Sequence, residues 1–352
     1  MSLFRASIDA LSGYVPGEQP APNSKVIKLN TNENPYPPSP KALEALQEME
    51  GEWLRRYPQP MANSFREVAS KVLGVPADWI LVGNGSDDLL TMIMRAITEP
   101  GKQVVYPMPT YVLYRTLAQI QDAEIVEVPY PEDYSLPVEE LLAVQGAVTF
   151  IASPNSPSGT LISGELLEKL AANLSGVLVI DEAYGDFAQA NALDLVKRYD
   201  NVIVLRTLSK GYSLAGLRLG WGIAQPSLLE GLIKVKDSYN VDAVACNVGA
   251  AAIADQEYKN SNAQKIITTR LQLEKQLQDL GFYVFPSQAN FLLAQTTEKI
   301  KVSAQFLYQQ LKEQGILVRY FQQPKLDDKL RITVGTPEEV ASLVKVLTEL
   351  VG

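Results

Sequence analysis

The chain has 352 residues, a formal net charge of −9 and a pI near 4.9, which argues against a general nucleic-acid binder or a polybasic membrane-surface protein, since both need an excess of Lys and Arg. One cysteine (Cys246) and no histidine exclude an intramolecular disulfide, a cysteine-rich zinc site, a Ser-His-Asp triad and a histidine metal cluster, so no metal is expected. The N-terminus lacks an apolar signal-like stretch and no run long enough to span a bilayer occurs, giving the expectation of a soluble, cytoplasmic protein of about two domains with no membrane partner.

Residues 1–39 are rich in Pro, Asn and Gly, as in Pro20-Ala-Pro-Asn-Ser24 and Asn32-Glu-Asn-Pro-Tyr-Pro-Pro38, and read as an irregular arm wrapping another surface. From residue 40 to about 225, helical patterns such as 40–49 and 64–73 alternate with apolar runs at 80–82, 103–106, 148–152, 177–180 and 202–205. That alternation predicts an α/β unit with a mostly parallel, helix-covered sheet. Residues 226–280 read as consecutive helices, the last an amphipathic stretch over 266–280. A boundary near 280 then divides a large unit (40–280) from a smaller α+β unit (281–352), with strands expected at 282–285, 290–293, 316–319 and 330–334 and helices at 303–314 and 337–350.

The chemistry-bearing residues follow the apolar runs. After the first, Val82-Gly-Asn-Gly-Ser-Asp-Asp88 opens a helix; the amides of Gly85, Ser86 and Asp87 can hold an anion there, and Ser-Asp-Asp can equally cap the helix. Tyr111, in Pro107-Met-Pro-Thr-Tyr111, can stack on a planar heterocycle or pack against helices. Asn155 sits between Pro154 and Pro157 in a turn that Asn, Pro and Gly also explain by themselves. In Gly176-Val-Leu-Val-Ile-Asp-Glu-Ala-Tyr184 a buried strand delivers Asp181 and Tyr184; the carboxylate needs a partner, such as a protonated pyridine nitrogen, or caps the next helix. Beyond the last run, Arg206-Thr-Leu-Ser-Lys210 and Arg218 put Lys210 beside two hydroxyls, Thr207 and Ser209, and a guanidinium suited to a phosphate. A lysine beside a phosphate site suggests a Schiff base to a phosphorylated carbonyl cofactor.

Five such turns in sequence order match the groups of pyridoxal 5'-phosphate, and over nearly its full length the chain resembles the fold-type I pyridoxal-phosphate aminotransferases of the class II family, in particular the branch acting on histidinol phosphate. The resemblance implies a seven-stranded, mostly parallel sheet in the large domain. It implies Lys210 as the Schiff-base lysine and base, Asp181 on the pyridine nitrogen, and Asn155 and Tyr184 on the ring's phenolic oxygen. Ser86, Thr207, Ser209, Arg218 and the amides of Gly85 to Asp87 would hold the phosphate, with Tyr111 on the ring. Tyr57 resembles the tyrosine that reaches the neighbouring subunit's cofactor, implying a homodimer. Arg331 would take the carboxylate of glutamate or 2-oxoglutarate and the phosphate of histidinol phosphate, Arg319 would assist, and Asn34 and Tyr14 would close the pocket; structural salt bridges are the other reading of both arginines. Ser156 and Ser158 stand where the family often has Asn and Thr, and Tyr212 where Phe is common; none of the three is expected to touch a reacting group. An aromatic amino acid aminotransferase or a phosphothreonine decarboxylase shares the cofactor motifs. A non-catalytic regulator would show a damaged site or an attached DNA-binding module, neither of which is present, and a nicotinamide dehydrogenase would need a Gly-x-Gly-x-x-Gly turn that is absent.

Overall fold

The computed structural model describes residues 2–11, 13, 17–21 and 24–352. Its strands, in chain order, are β1 (Ile27–Lys28), β2 (Ile80–Gly83), β3 (Gln103–Met108), β4 (Glu124–Pro129), β5 (Val148–Ala152), β6 (Val177–Asp181), β7 (Val202–Thr207), β8 (Gly220–Ile223), β9 (Tyr283–Val284), β10 (Phe291–Gln295), β11 (Ile316–Leu317), β12 (Arg319–Tyr320) and β13 (Lys329–Thr333). β2 to β8 form one seven-stranded sheet in the order β2-β8-β7-β6-β5-β3-β4. The five apolar runs are β2, β3, β5, β6 and β7, and they are buried almost throughout because helices cover both faces of the sheet.

Two strands were not visible as apolar runs. β4 carries Glu124 and Glu127 at the sheet's edge, pairing in parallel with β3 alone, where charge discourages further strand addition. β8, Gly220-Trp-Gly-Ile, lies between β2 and β7 and runs antiparallel to both. Its Trp221 packs against Phe65 with ring centroids 5.4 Å apart; truncation of so enclosed an indole to alanine costs about 3–5 kcal/mol.

The C-terminal unit is a four-stranded antiparallel sheet, β12-β13-β10-β9, with the parallel pair β1-β11 beside it. The arm is therefore less irregular than expected: β1 joins β11 through Ile27↔Ile316 and Lys28↔Leu317, and residues Ala6–Asp9 form a short helix. The helix Gln256–Asp279 also departs from a sharp division near 280. Its Ala263 and Ile266 pack with Phe187 of the large unit, whereas Leu273 and Leu277 lie in the apolar cluster of the small unit with Leu292, Leu330 and Leu343. The closing helix Pro337–Val351 starts on a Thr336/Glu339 capping box. Among the described residues no helix is long and apolar enough to cross a membrane.

Candidate active site

Parallel register sets the site. Ala152, Asp181 and Leu205 stand side by side near the ends of β5, β6 and β7, so the turns that follow these strands open at one edge of the sheet, together with those after β2 and β3. They line one cleft that includes Ser86, Asp87, Tyr111, Asp181, Tyr184, Thr207, Ser209, Lys210, Arg218, Arg319 and Arg331.

One pole of the cleft is built for an anion. Gly85 (φ +81°) precedes the helix Ser86–Ile97, and a Cβ there would stand 2.5 Å from Arg218 Nη2, so the residue must be small and left-handed at once. Arg218 Nη1 donates to Ser209 Oγ at 3.4 Å and its Nη2 meets Asp87 Oδ2 at 3.5 Å. The Thr207 hydroxyl donates to Ser209 Oγ at 2.9 Å, and Tyr111 OH donates to Asp87 Oδ1 at 3.1 Å. A guanidinium, two hydroxyls and a helix N-terminus thus converge. Behind them Gly220 of β8 backs onto the same turn, where a Cβ would lie 2.4 Å from the Ser86 amide nitrogen.

Asp181 is buried in the middle of the cleft. Tyr114 OH donates to its Oδ2 at 2.8 Å and the Ala183 amide to its Oδ1 at 3.1 Å. Burial pushes its carboxyl up to about 6, while these two hydrogen bonds pull it back down. Lys210 Nζ donates to the Thr31 carbonyl at 3.2 Å and lies 5.8 Å from the Tyr184 ring centroid. Burial, then the Arg331 and Arg218 guanidiniums, bring its amine down to about 8 against the opposing pull of Glu33. At that value about one amine in ten is neutral at pH 7, against about one in three thousand at the ordinary value.

The other pole carries two arginines. Antiparallel pairing of β12 with β13 sets Arg319 directly opposite Arg331, an unfavourable juxtaposition of like charges that an anion between them would relieve. Arg331 Nη1 donates to Ser156 Oγ at 3.0 Å and Nη2 to the Asn30 carbonyl at 3.1 Å. The Phe321 ring lies 5.5 Å from the Arg319 guanidinium and 5.6 Å from that of Arg331.

The remaining expected residues take the following places. Asn155 is fully buried and does not line the cleft: its Oδ1 accepts from Thr110, and its Nδ2 donates to the Pro109 carbonyl and to Ser158 Oγ. Its neighbour Ser156 lines the cleft together with Pro154 and Pro157, and its hydroxyl accepts from Arg331. Asn34 donates to the main-chain oxygens of Lys210 and Gly211 at 3.0 and 3.3 Å, which makes it a clamp on the lysine's own turn. The neighbouring Asn32, in left-handed conformation (φ 57°), donates instead to Tyr184 OH at 2.9 Å. Tyr14 lies outside the described residues. Tyr57, 81% exposed, stacks on Tyr239 with centroids 4.5 Å apart, away from this cleft. Sequence reading missed Thr31, Asn32, Tyr114, Ser156 and Phe321. Of these only Asn32 carried a signal, because asparagine is the non-glycine residue most at ease in left-handed backbone.

Residues 24–347 match the family described as aminotransferase class I and II. The chain belongs to that family. This aminotransferase is 64% identical over 347 residues to histidinol-phosphate aminotransferase 1 of Trichormus variabilis, covering 99% of this chain and 98% of that one. It is 44% identical over 350 residues to histidinol-phosphate aminotransferase of Citrifermentans bemidjiense, covering 99% of each. Among solved structures it is similar to histidinol-phosphate aminotransferase from Sinorhizobium meliloti in complex with pyridoxal-5'-phosphate, at 27% identity and a TM-score of 0.91 over 100% of this chain and 98% of that one.

Pyridoxal 5'-phosphate is the cofactor of class I and II aminotransferases, and the aminotransferase's own residues fit it group by group. The Arg218, Thr207, Ser209 and Ser86 pole suits its phosphate dianion, the buried Asp181 its ring nitrogen, and the amine of Lys210 its aldehyde. The Tyr184 and Ser156 side chains line the same cleft.

Proposed function

We propose that this chain catalyses transamination between L-histidinol phosphate and 2-oxoglutarate, giving imidazole acetol phosphate and L-glutamate, with pyridoxal 5'-phosphate as cofactor and histidine biosynthesis as its setting. The observation that carries the reading is the pairing of Arg319 and Arg331 across β12 and β13 at the pole opposite the phosphate clamp. One fork of cations there serves two substrates in turn, the carboxylate of one and the phosphate of the other.

When bound, pyridoxal phosphate supplies an electron-withdrawing ring that stabilises negative charge at the substrate α-carbon. Asp181, held by Tyr114 and the Ala183 amide, provides the buried negative charge that keeps the ring nitrogen protonated. Lys210 Nζ, lowered to about 8, is available as a neutral amine that takes the proton from the substrate α-carbon. Arg331 orients the substrate's anionic end through its two Nη groups, and Phe321 shields that end from water. Asn32 fixes the Tyr184 hydroxyl beside the reacting centre.

The supporting argument for a homodimer is an apolar, uncovered stretch of surface. Leu43 and Leu46 on the helix Pro40–Gln47, Trp53 and Leu54 on Gly51–Leu54, and the Tyr57–Tyr239 stack are all exposed, a group of large apolar side chains of the kind that marks a protein–protein contact. In the dimer Tyr57 would reach the neighbouring active site. The composition and the biosynthetic reading favour a cytoplasmic location.

The substrate is tested by mixing the cofactor-loaded protein with histidinol phosphate, phenylalanine, tyrosine or phosphothreonine and following cofactor absorbance. Fastest conversion with histidinol phosphate is expected; conversion by phenylalanine with none by histidinol phosphate would transfer the assignment to the aromatic aminotransferases. Sedimentation velocity at micromolar concentration should give a dimer, and a monomer there would overturn that part.

A further inference from the structure

Tyr114 lies at the N-terminal end of the helix Leu113–Ile120, immediately behind the cleft and one turn beyond Tyr111. Its ring is stacked on Phe150 of β5 at 4.8 Å and 17°, tilted against Tyr106 at 6.0 Å and met edge-on by Tyr111 at 5.7 Å. Such a slot fixes the ring, and with it the direction of the hydroxyl. A phenylalanine would fill the slot as well, so packing alone does not account for the oxygen. That oxygen is wholly buried and its hydrogen points to Asp181 Oδ2 at 2.8 Å.

Asp181 thereby has one fixed protein donor on each oxygen, Tyr114 on Oδ2 and the Ala183 amide on Oδ1. Two bonds, one per oxygen, define the carboxylate plane and leave lone pairs free toward the cleft. The other ionisable groups facing it are Asp87, Glu182 and Tyr184. The two carboxylates act in the same sense as burial, favouring the neutral acid. The donors therefore oppose three influences that would discharge Asp181, and a hydrogen bond to a buried charge is worth more than one between neutral groups.

We propose that Tyr114 is the positioning residue of Asp181, a caged phenol donor that fixes the carboxylate's orientation and keeps it anionic for the ring nitrogen of bound pyridoxal phosphate. The inference rests on the cofactor reading and not on the choice of substrate.

The test loads the full-length protein with pyridoxal 5'-phosphate labelled with 15N in the ring and follows the nitrogen's chemical shift with pH. In Tyr114→Phe the ring nitrogen should lose its proton about one to two pH units lower than in the wild type, with kcat lowered about 10- to 100-fold and KM within about twofold. Replacing Tyr114 by 3-fluorotyrosine, whose phenol is a stronger donor in the same volume, should move the nitrogen's titration the other way. An unchanged titration in a folded Tyr114→Phe protein, or a fluorotyrosine shift in the same direction as the phenylalanine one, overturns the proposal. If Tyr114→Phe does not fold, the fluorotyrosine protein decides alone. Wild-type protein that takes up no labelled cofactor would instead overturn the cofactor reading.

Discussion

Lys210 Nζ donates to the main-chain oxygen of Thr31 at 3.2 Å, joining the turn after β7 to a segment 179 residues earlier in the chain. Asn34 closes the same junction from its other side by donating to the Lys210 carbonyl. The N-terminal segment is therefore part of the lysine's environment: its Glu33 carboxylate favours the charged amine, against the burial and the Arg331 and Arg218 guanidiniums that lower it.

That depression has a sign. Lys210 titrates near 8 in the folded protein against an ordinary 10.5, so between those values the unfolded chain holds a proton the folded one has released, and stability rises with pH across the window. Below pH 8 the burial penalty is present in full. Lys210→Met should accordingly stabilise the cofactor-free protein at pH 7 by about 2 kcal/mol, discounted for the amine's partial exposure. Urea denaturation at pH 7 and at pH 10 reads the difference, which should shrink at the higher pH; a gap that widens with pH would contradict the assignment.

Asn155 and Ser156 should separate cleanly on mutation. Asn155→Ala removes a fully buried amide and leaves its three partners, Thr110, the Pro109 carbonyl and Ser158, without it; it is expected to cost about 2–3 kcal/mol of stability, seen as a lowered urea midpoint, while kcat for folded protein stays within a few fold. Ser156→Ala leaves the midpoint nearly unchanged and raises KM for the anionic substrates, because Arg331 loses the oxygen that orients it. The reverse pattern would restore Asn155 to the cleft.

Arg331→Lys keeps the charge and loses the planar fork. We expect kcat/KM to fall about 10- to 100-fold for both glutamate and histidinol phosphate. A loss confined to one of them would show that the two substrates do not share this pole.

Gly220→Ala places a methyl group within 2.4 Å of the Ser86 nitrogen. The turn carrying Gly85 and Ser86 must shift, so affinity for pyridoxal phosphate should drop by at least about tenfold in an absorbance titration of the cofactor-free protein. Unaltered affinity would mean that this turn does not hold the phosphate.

The parts of this molecule legible in its sequence are those with a local cause. Runs such as Val148–Ala152 and Val202–Thr207 announce buried strands through their own apolar residues, and Asp181, Lys210 and Arg218 follow such runs at spacings that leave them little choice of place. β4 and β8 gave no such notice: one carries two glutamates among its six residues at an edge, and the other is half glycine and is held by its two neighbours. Which of Asn155 and Ser156 faces the cleft depends on how the turn docks against Pro109, Thr110 and Arg331, contacts 45 to 175 residues away in the chain. Tyr114 was invisible for the same reason, since nothing near it in sequence distinguishes a buried phenol with a carboxylate partner from an ordinary core tyrosine.

The antiparallel course of β8 carries a consequence for how this gene can vary. Thr207 and Gly220 are paired across β7 and β8, and Leu208 donates to the Leu219 carbonyl at 2.9 Å, so residues 208–219 form a loop pinched shut at its base. Lys210, Ser209 and Arg218 all hang from that loop. With its base fixed, an inserted or deleted residue must be absorbed within the loop itself, where it would displace Ser209, Lys210 or Arg218, or else slide β8 by one place and turn Trp221 out of the core. Length here is as constrained as identity, and natural variation in the loop should consist of substitutions alone.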